Sequence, residues 1–180
     1  MTSTEANQPS PPSSLRVSLF VTCLADLFRP SVAFASIKLL EQAGCEVTIP
    51  LKQTCCGQPA YNTGDFESSV PLARQLIRQF EDADYVVVPS GSCAGMICHH
   101  YPRLLEGEWR ERALQLAAKT FELTTFLNDI AHIKRGDLPT VKLPSVTYHD
   151  SCAGLRELNI KNQPRALLKE LCDTEVDELQ

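Results

Sequence analysis

The residues best placed to do chemistry in this chain are cysteines, and they concentrate in the stretch Gln53-Thr54-Cys55-Cys56-Gly57-Gln58-Pro59. Adjacent cysteines do not readily bond to each other, because the ring closed across one peptide bond is strained. The pair is better suited to a shared external ligand, and a metal is the natural one. Gly57 lets the backbone turn sharply behind the two thiols and Pro59 stiffens the exit, so both sulfurs can point into one loop-bound site. Two further cysteines lie at suitable distances: 31 residues separate Cys23 from Cys55, and 35 separate Gly57 from Cys93.

Composition narrows the setting for that chemistry. The 180 residues are 43% hydrophobic, enough to bury a core in one domain or two small packed lobes. A formal charge of −5 with no basic cluster argues against a nucleic-acid surface or an anionic membrane. No window reaches the roughly 18 consecutive apolar residues of a membrane span. Arg16 followed by Val17-Ser18-Leu19-Phe20-Val21 faintly resembles a signal peptide, but Asp26 interrupts the apolar run, so a core strand and a cytoplasmic protein are expected. Eight cysteines without an export signal then favour metal or redox chemistry over a disulfide framework.

The elements that must position the cysteines can be read in chain order. Residues 1 to 14 are rich in Ser and Pro without apolar periodicity and read as a disordered tail. Val17 to Thr22 reads as a buried strand that delivers Cys23 to a loop at its carboxyl end. A helix is expected from Pro30 to Ala43, stopped by Gly44 and followed by Cys45 as a packing residue, with a strand from Glu46 to Ile49. Pro50 to Gly64 reads as one long loop holding the cysteine pair, and Phe66 to Ala83 as an amphipathic helix. Tyr85 to Val88 is the clearest buried strand, and the turn Pro89 to Gly95 puts Cys93 where open α/β sheets place ligands. Helices follow at Glu108 to Lys119 and Thr124 to Ile133.

Val146 to His149 reads as another strand, ending at Asp150-Ser151-Cys152, with a helix from Gln163 to Leu171, Cys172 after it, and Glu175 to Leu179 able to open a strand. Both ends of the chain therefore follow strand, loop cysteine, helix, post-helix cysteine. The expected fold is α/β, with two pseudo-repeated lobes of mostly parallel sheet flanked by helices. Residues 15 to 140 would form the first cysteine-rich module and 141 to 180 the start of a second. A second cysteine pair would fall near position 184, so the second lobe reads as truncated and prone to self-association.

Cys23, Cys55-Cys56-Gly57 and Cys93 at these spacings resemble the CCG cysteine-rich family. That family includes the cysteine-rich subunit of heterodisulfide reductase, glycolate oxidase iron-sulfur subunits and lactate-utilisation protein A. The last is the most similar, through Ser18 to Leu24, Gln53 to Tyr61, Pro89 to Ala94 and Tyr148 to Cys152. The resemblance implies Cys23, Cys55, Cys56 and Cys93 as cluster ligands of the first module and Cys152 as the opening ligand of the second. It also implies electron transfer in a complex that oxidises L-lactate to pyruvate, with companion iron-sulfur subunits as partners. The chain has no Gly-rich dinucleotide fingerprint, so hydride chemistry would occur elsewhere. Met96 stands where the fuller motif has a last cysteine, which leaves a four-thiolate [4Fe-4S] cluster rather than a five-cysteine noncubane one.

Other readings of the same residues stay open. Four thiolates suit tetrahedral zinc as well as iron-sulfur, so a zinc-stabilised, non-catalytic interaction module is the alternative. Cys23-Leu24-Ala25-Asp26-Leu27-Phe28-Arg29 also fits the phosphate loop of low-molecular-weight phosphatases and arsenate reductases, although that loop curls through small residues and Asp26 would repel an anion. Cys98 reads as a buried helix cysteine and Cys172 as core. His99 and His100 read as a surface pair, and His149 as either structural or a hydrogen-bond partner of a cluster or substrate.

Overall fold

A computed structural model describes residues 14–137 and 145–178. Four short strands, β1 (Arg16–Leu19), β2 (Glu46–Thr48), β3 (Tyr85–Val88) and β4 (Thr120–Glu122), form one all-parallel sheet in the order β2-β1-β3-β4. Register places Val17 opposite both Val47 and Tyr85, and Val87 opposite Phe121. A parallel sheet is covered on both faces, so successive residues of β3 feed different cores. Val86 and Val88 pack with Phe20, Phe80, Ile97 and Tyr101, whereas Val87 packs with Val17, Leu19, Leu40 and Phe126.

Helices form where local signals start and stop them. The helix α1 (Cys23–Phe28) follows β1, and α2 (Pro30–Gln42) opens on a proline at its first position. Gly44, at φ +80°, turns the chain into β2. After β2 comes α3 (Gln58–Asn62), then α4 (Phe66–Phe80), whose Asp65 side chain accepts from Ser68 N–H at 3.0 Å. Its Ala73, Leu76, Ile77 and Phe80 are fully buried. Beyond β3, α5 (Gly91–Gly95) runs on through a π-helical turn at Met96–His100 into α6 (Tyr101–Leu104). Next come α7 (Gly107–Ala118), β4, and α8 (Leu123–Thr125), which continues as a second π-helical turn at Phe126–Ile130.

Several sequence expectations are corrected. The strand expected over Val17 to Thr22 ends at Leu19, and Cys23 opens a helix rather than a loop. The loop expected over Pro50 to Gly64 contains α3, and β4 lies between two helices where no strand was expected. Val146 to His149 is not a strand among the described residues: Val146 makes a single parallel bridge, to Val176. Helices also follow the cysteine near the carboxyl end of the chain. Cys152 opens α9 (Cys152–Glu157) as Cys23 opens α1, and α10 (Asn162–Cys172) follows as α2 does.

Residues 145–178 pack on the same sheet unit. Leu167 and Leu171 of α10 join Leu19, Leu40 and Phe126, and α9 lies against α5 so closely that a Cβ on Gly91 would sit 3.1 Å from Gly154 Cα. The expected tail falls almost wholly outside the described residues, as does part of the stretch joining the two expected modules.

At the end of β4, Glu122 caps α8, accepting from Thr124 N–H at 2.8 Å and Thr125 N–H at 3.3 Å. Burial pushes its carboxyl above the ordinary range, against the pull of those donors. The fold thus disfavours the ionised form, and stability declines as pH rises through the raised value. Glu122→Gln, which keeps the acceptor oxygen, should gain on the parent chain as pH rises from acid to neutral in urea titrations. Glu122→Ala should cost about 1 kcal/mol at acid pH, and less as pH rises. Parallel pH profiles for the Glu122→Gln variant and the parent would remove Glu122 as the source.

Candidate metal centre

The site is built where β1, β2 and β3 end. Parallel strands deliver their following segments to one edge, which brings residues 23, 55–56 and 93 together across 70 residues of chain. Cys23 and Cys55 meet with their sulfurs 3.7 Å apart, and Cys56 and Cys93 with theirs 3.4 Å apart. The first pair is partly exposed, while Cys56 and Cys93 are 2% and 9% exposed. The peptide bond between Cys55 and Cys56 joins the two pairs into one four-sulfur patch.

The loop that carries Cys55 and Cys56 is held by side chains. Gln53 clamps it to the end of β1: its Oε1 accepts from Val21 N–H at 2.8 Å and its Nε2 donates to Leu19 O at 2.9 Å. Gly57 adopts φ +83°, a conformation that disfavours any other residue, and its N–H donates to Cys55 Sγ at 3.4 Å. From beneath, the buried Tyr101 hydroxyl donates to Cys56 O at 2.8 Å. Ser90 caps the helix that holds Cys93 by accepting from Cys93 N–H. Sequence reasoning gave neither Gln53 nor Tyr101 a role. Gln53 could have been suspected as a polar residue just ahead of the cysteine pair, but Tyr101 carries no local signal.

Electrostatics distinguish the four thiols. Cys93 is lowered to about 7, chiefly because Cys56 donates to its sulfur, with Ser90 and Ser92 adding to the effect against the burial penalty. Cys56 is correspondingly raised, by that same hydrogen bond and by burial. Cys23 is raised by burial first and by its contact with Cys55 second.

A single tetrahedral ion with sulfur ligands at about 2.3 Å would hold all four sulfurs some 3.8 Å from one another. Here they form two contact pairs, and among the described residues no three His, Cys, Asp or Glu side chains gather tightly enough for one ion. Four soft thiols gathered in two pairs are a donor set suited to a metal or cluster.

The comparisons with known proteins identify a cysteine-rich family. Residues 17–98 match the family described as CCG, cysteine-rich domain. Lactate utilization protein A of Geobacillus kaustophilus is 48% identical over 157 residues, which are 86% of this chain and 64% of that protein. Lactate utilization protein A 2 of Bacillus cereus is 42% identical over 167 residues, 92% of this chain and 68% of that protein. The chain belongs to the lactate utilization protein A family. It spans about two thirds of the length of these relatives. No solved structure matches it.

Other residues singled out from the sequence fall outside the four-sulfur patch. Cys152, at the head of α9, is exposed and takes no part in either sulfur pair. Cys45 is buried behind α2, and Cys172 ends α10. Cys98 packs towards Thr120 O at 3.6 Å, and burial raises it to about 11. Met96, in place of the fuller motif's last cysteine, is completely buried. His100 is not half of a surface pair: its Nε2 lies 3.2 Å from Glu157 Oε2 and its ring packs at a tilt against Tyr61, centroids 4.8 Å apart. His149 is exposed. The phosphate-loop alternative does not form, because residues 23–28 are a helix rather than a loop curled around an anion, and Asp26 lies in its first turn.

Two outcomes follow from this geometry. Replacing Gln53 with Leu strands Val21 N–H and Leu19 O, so chemical denaturation should show a loss of about 1–3 kcal/mol. An unchanged midpoint would show that the clamp is dispensable. Mild oxidation of metal-free protein should give Cys23–Cys55 and Cys56–Cys93 disulfides in non-reducing peptide maps. A predominant Cys23–Cys93 bridge would contradict the pairing.

Proposed function

We propose that this chain is the cysteine-rich, electron-relaying part of a complex that oxidises L-lactate to pyruvate. In this reading Cys23, Cys55, Cys56 and Cys93 hold an iron-sulfur cluster of the [4Fe-4S] type. The observation that carries it is the convergence of four thiols in two pairs at the carboxyl ends of three parallel strands. The names of the relatives supply the substrate, companion iron-sulfur subunits would be the partners, and hydride chemistry would occur outside this chain, which has no Gly-rich dinucleotide fingerprint. When bound, the cluster supplies one-electron chemistry.

The chain's own residues set the conditions for that chemistry. Burial of Cys56 and Cys93 keeps water from the inner half of the site, Gly57 N–H lends a donor to the outer half, and Gln53 fixes the loop against β1. Cys152, placed at the start of α9 as Cys23 is at the start of α1, is the candidate opening ligand of a second set. Zinc at the same thiols is the competing reading.

Iron, sulfide and zinc analysis of anaerobically purified protein tests both readings. Iron with acid-labile sulfide and a visible charge-transfer band is expected, whereas zinc alone would favour the stapled interaction module. Cys55→Ser should abolish iron binding, and Cys45→Ser should keep it at a stability cost on the order of 1 kcal/mol. Equal iron loss in the two variants would show that the ligands are misassigned.

A further inference from the structure

We propose that the apolar groove beside Cys23 and Cys55 binds the ring of a lipophilic quinone, the electron acceptor of this protein. The proposal rests on reading the cysteines as electron-transfer ligands. The groove has a volume of about 440 Å³ and is lined by both cysteines of the outer pair, between walls that include Leu27, Pro30, Phe34, Ile37 and Leu51. That volume lies within the usual range for small-molecule sites.

Its surroundings are unusually apolar for a surface. Of ten large hydrophobic side chains exposed among the described residues, seven lie between Leu24 and Leu51. Leu27, Phe34 and Leu51, which line the groove, are 72%, 70% and 98% exposed. Apolar side chains scattered singly need no explanation, but a concentration around a candidate redox centre marks a binding surface.

Two polar features of the groove define the occupant. Thr54 belongs to its wall, and the Thr54 hydroxyl is buried with no hydrogen-bond partner among the described residues. Buried hydroxyls are ordinarily satisfied, so this one gains by a turn about χ1 that lets it donate to an oxygen brought in by a ligand. Gln53 beside it has both ends of its amide already engaged by β1 and the residues after it. Among the described residues, the only charged one lining the groove is Asp26, which repels anions and makes this a poor site for a hydroxy-acid carboxylate. A neutral, apolar, redox-active molecule with an acceptor oxygen meets all these conditions, and a quinone is that class.

The stoichiometry closes without another reagent. Converting a 2-hydroxy acid to the 2-oxo acid releases two electrons and two protons, and a quinone takes up both to become the quinol. Thr54 would hold one quinone oxygen, and the exposed rim of Phe34 and Leu51 would receive the tail.

The test is equilibrium dialysis of the anaerobically purified, iron-loaded protein against duroquinone, whose fully substituted ring resists addition of thiols. Iron content and circular dichroism are measured on every sample. Saturable binding at one site per chain is expected. Thr54→Val should weaken it about fivefold, the worth of one hydrogen bond, with iron unchanged. Phe34→Glu, at an exposed position, should abolish binding with fold and iron intact. Iron-loaded protein that binds no quinone overturns the groove assignment and leaves the relay reading standing. Protein that never carries iron yet binds quinone overturns the acceptor role along with the relay reading. If Phe34→Glu leaves quinone affinity unchanged but alters sedimentation, the rim serves a protein contact and the quinone assignment is wrong.

Discussion

Parallel pairing of β1 with β2 on one side and β3 on the other is the constraint on which the site depends. Because all three strands run the same way, the segments that leave them emerge at one edge of the sheet, and those segments carry Cys23, Cys55-Cys56 and Cys93. Slipping a parallel strand by one residue would send its inward side chains to the opposite face. Val87 would then leave the Leu19 and Phe126 side for the Phe80 side, so hydrophobic burial and sulfur convergence enforce the same register. Gln53 extends this coupling past the last ladder bond, since it occupies the backbone groups of Leu19 and Val21 that a longer β2 would otherwise engage.

The four sulfurs are not equivalent, and the difference has a structural origin. Cys56 and Cys93 sit on the core formed with Ala94, Ile97 and Tyr101, and the rigidity of that core fixes them. Cys23 and Cys55 lie at the rim, held by a six-residue helix and the side-chain clamp of Gln53. A centre spanning both pairs would be anchored from below and open on one side. That side is the one on which the exposed apolar residues of α1 and α2 cluster.

Much of this arrangement was legible in the sequence because its determinants are local. Pro30 and Gly44 mark helix ends through the backbone conformations they favour, and Tyr85-Val86-Val87-Val88 reads as a buried strand from β-branched content alone. The cysteine spacing marked the site without any knowledge of distance. What escaped depends on partners far along the chain. Val21 and Thr22 have strand composition but leave the ladder, because the N–H of Val21 is taken by a side chain 32 residues away and Thr22 starts a helix. Val146 to His149 has the same composition and finds a single partner residue, and a strand without a neighbour is not a strand. β4 is three residues long, below the length at which alternation can be read. His100 looked like a surface residue until Glu157, 57 positions away, and Tyr61 closed over it.

An acidic chain that gathers four thiols must also manage their charge, and it does so with fixed dipoles. Cys23 is the first residue of α1 and Cys93 lies in the first turn of the helix that begins at Gly91, so the positive ends of two helices meet the sulfurs. Gly57 N–H donates to Cys55, while Ser90 and Ser92 help to hold Cys93 low. Among the causes that perturb Cys23, Cys56 and Cys93, no lysine or arginine figures. A flexible surface cation would be screened by salt and would have to rearrange whenever the charge of the site changed. Backbone amides and capping hydroxyls are already oriented by the fold and need no such rearrangement. That rigidity comes from the same strand-to-helix turns that set the spacing of the cysteines.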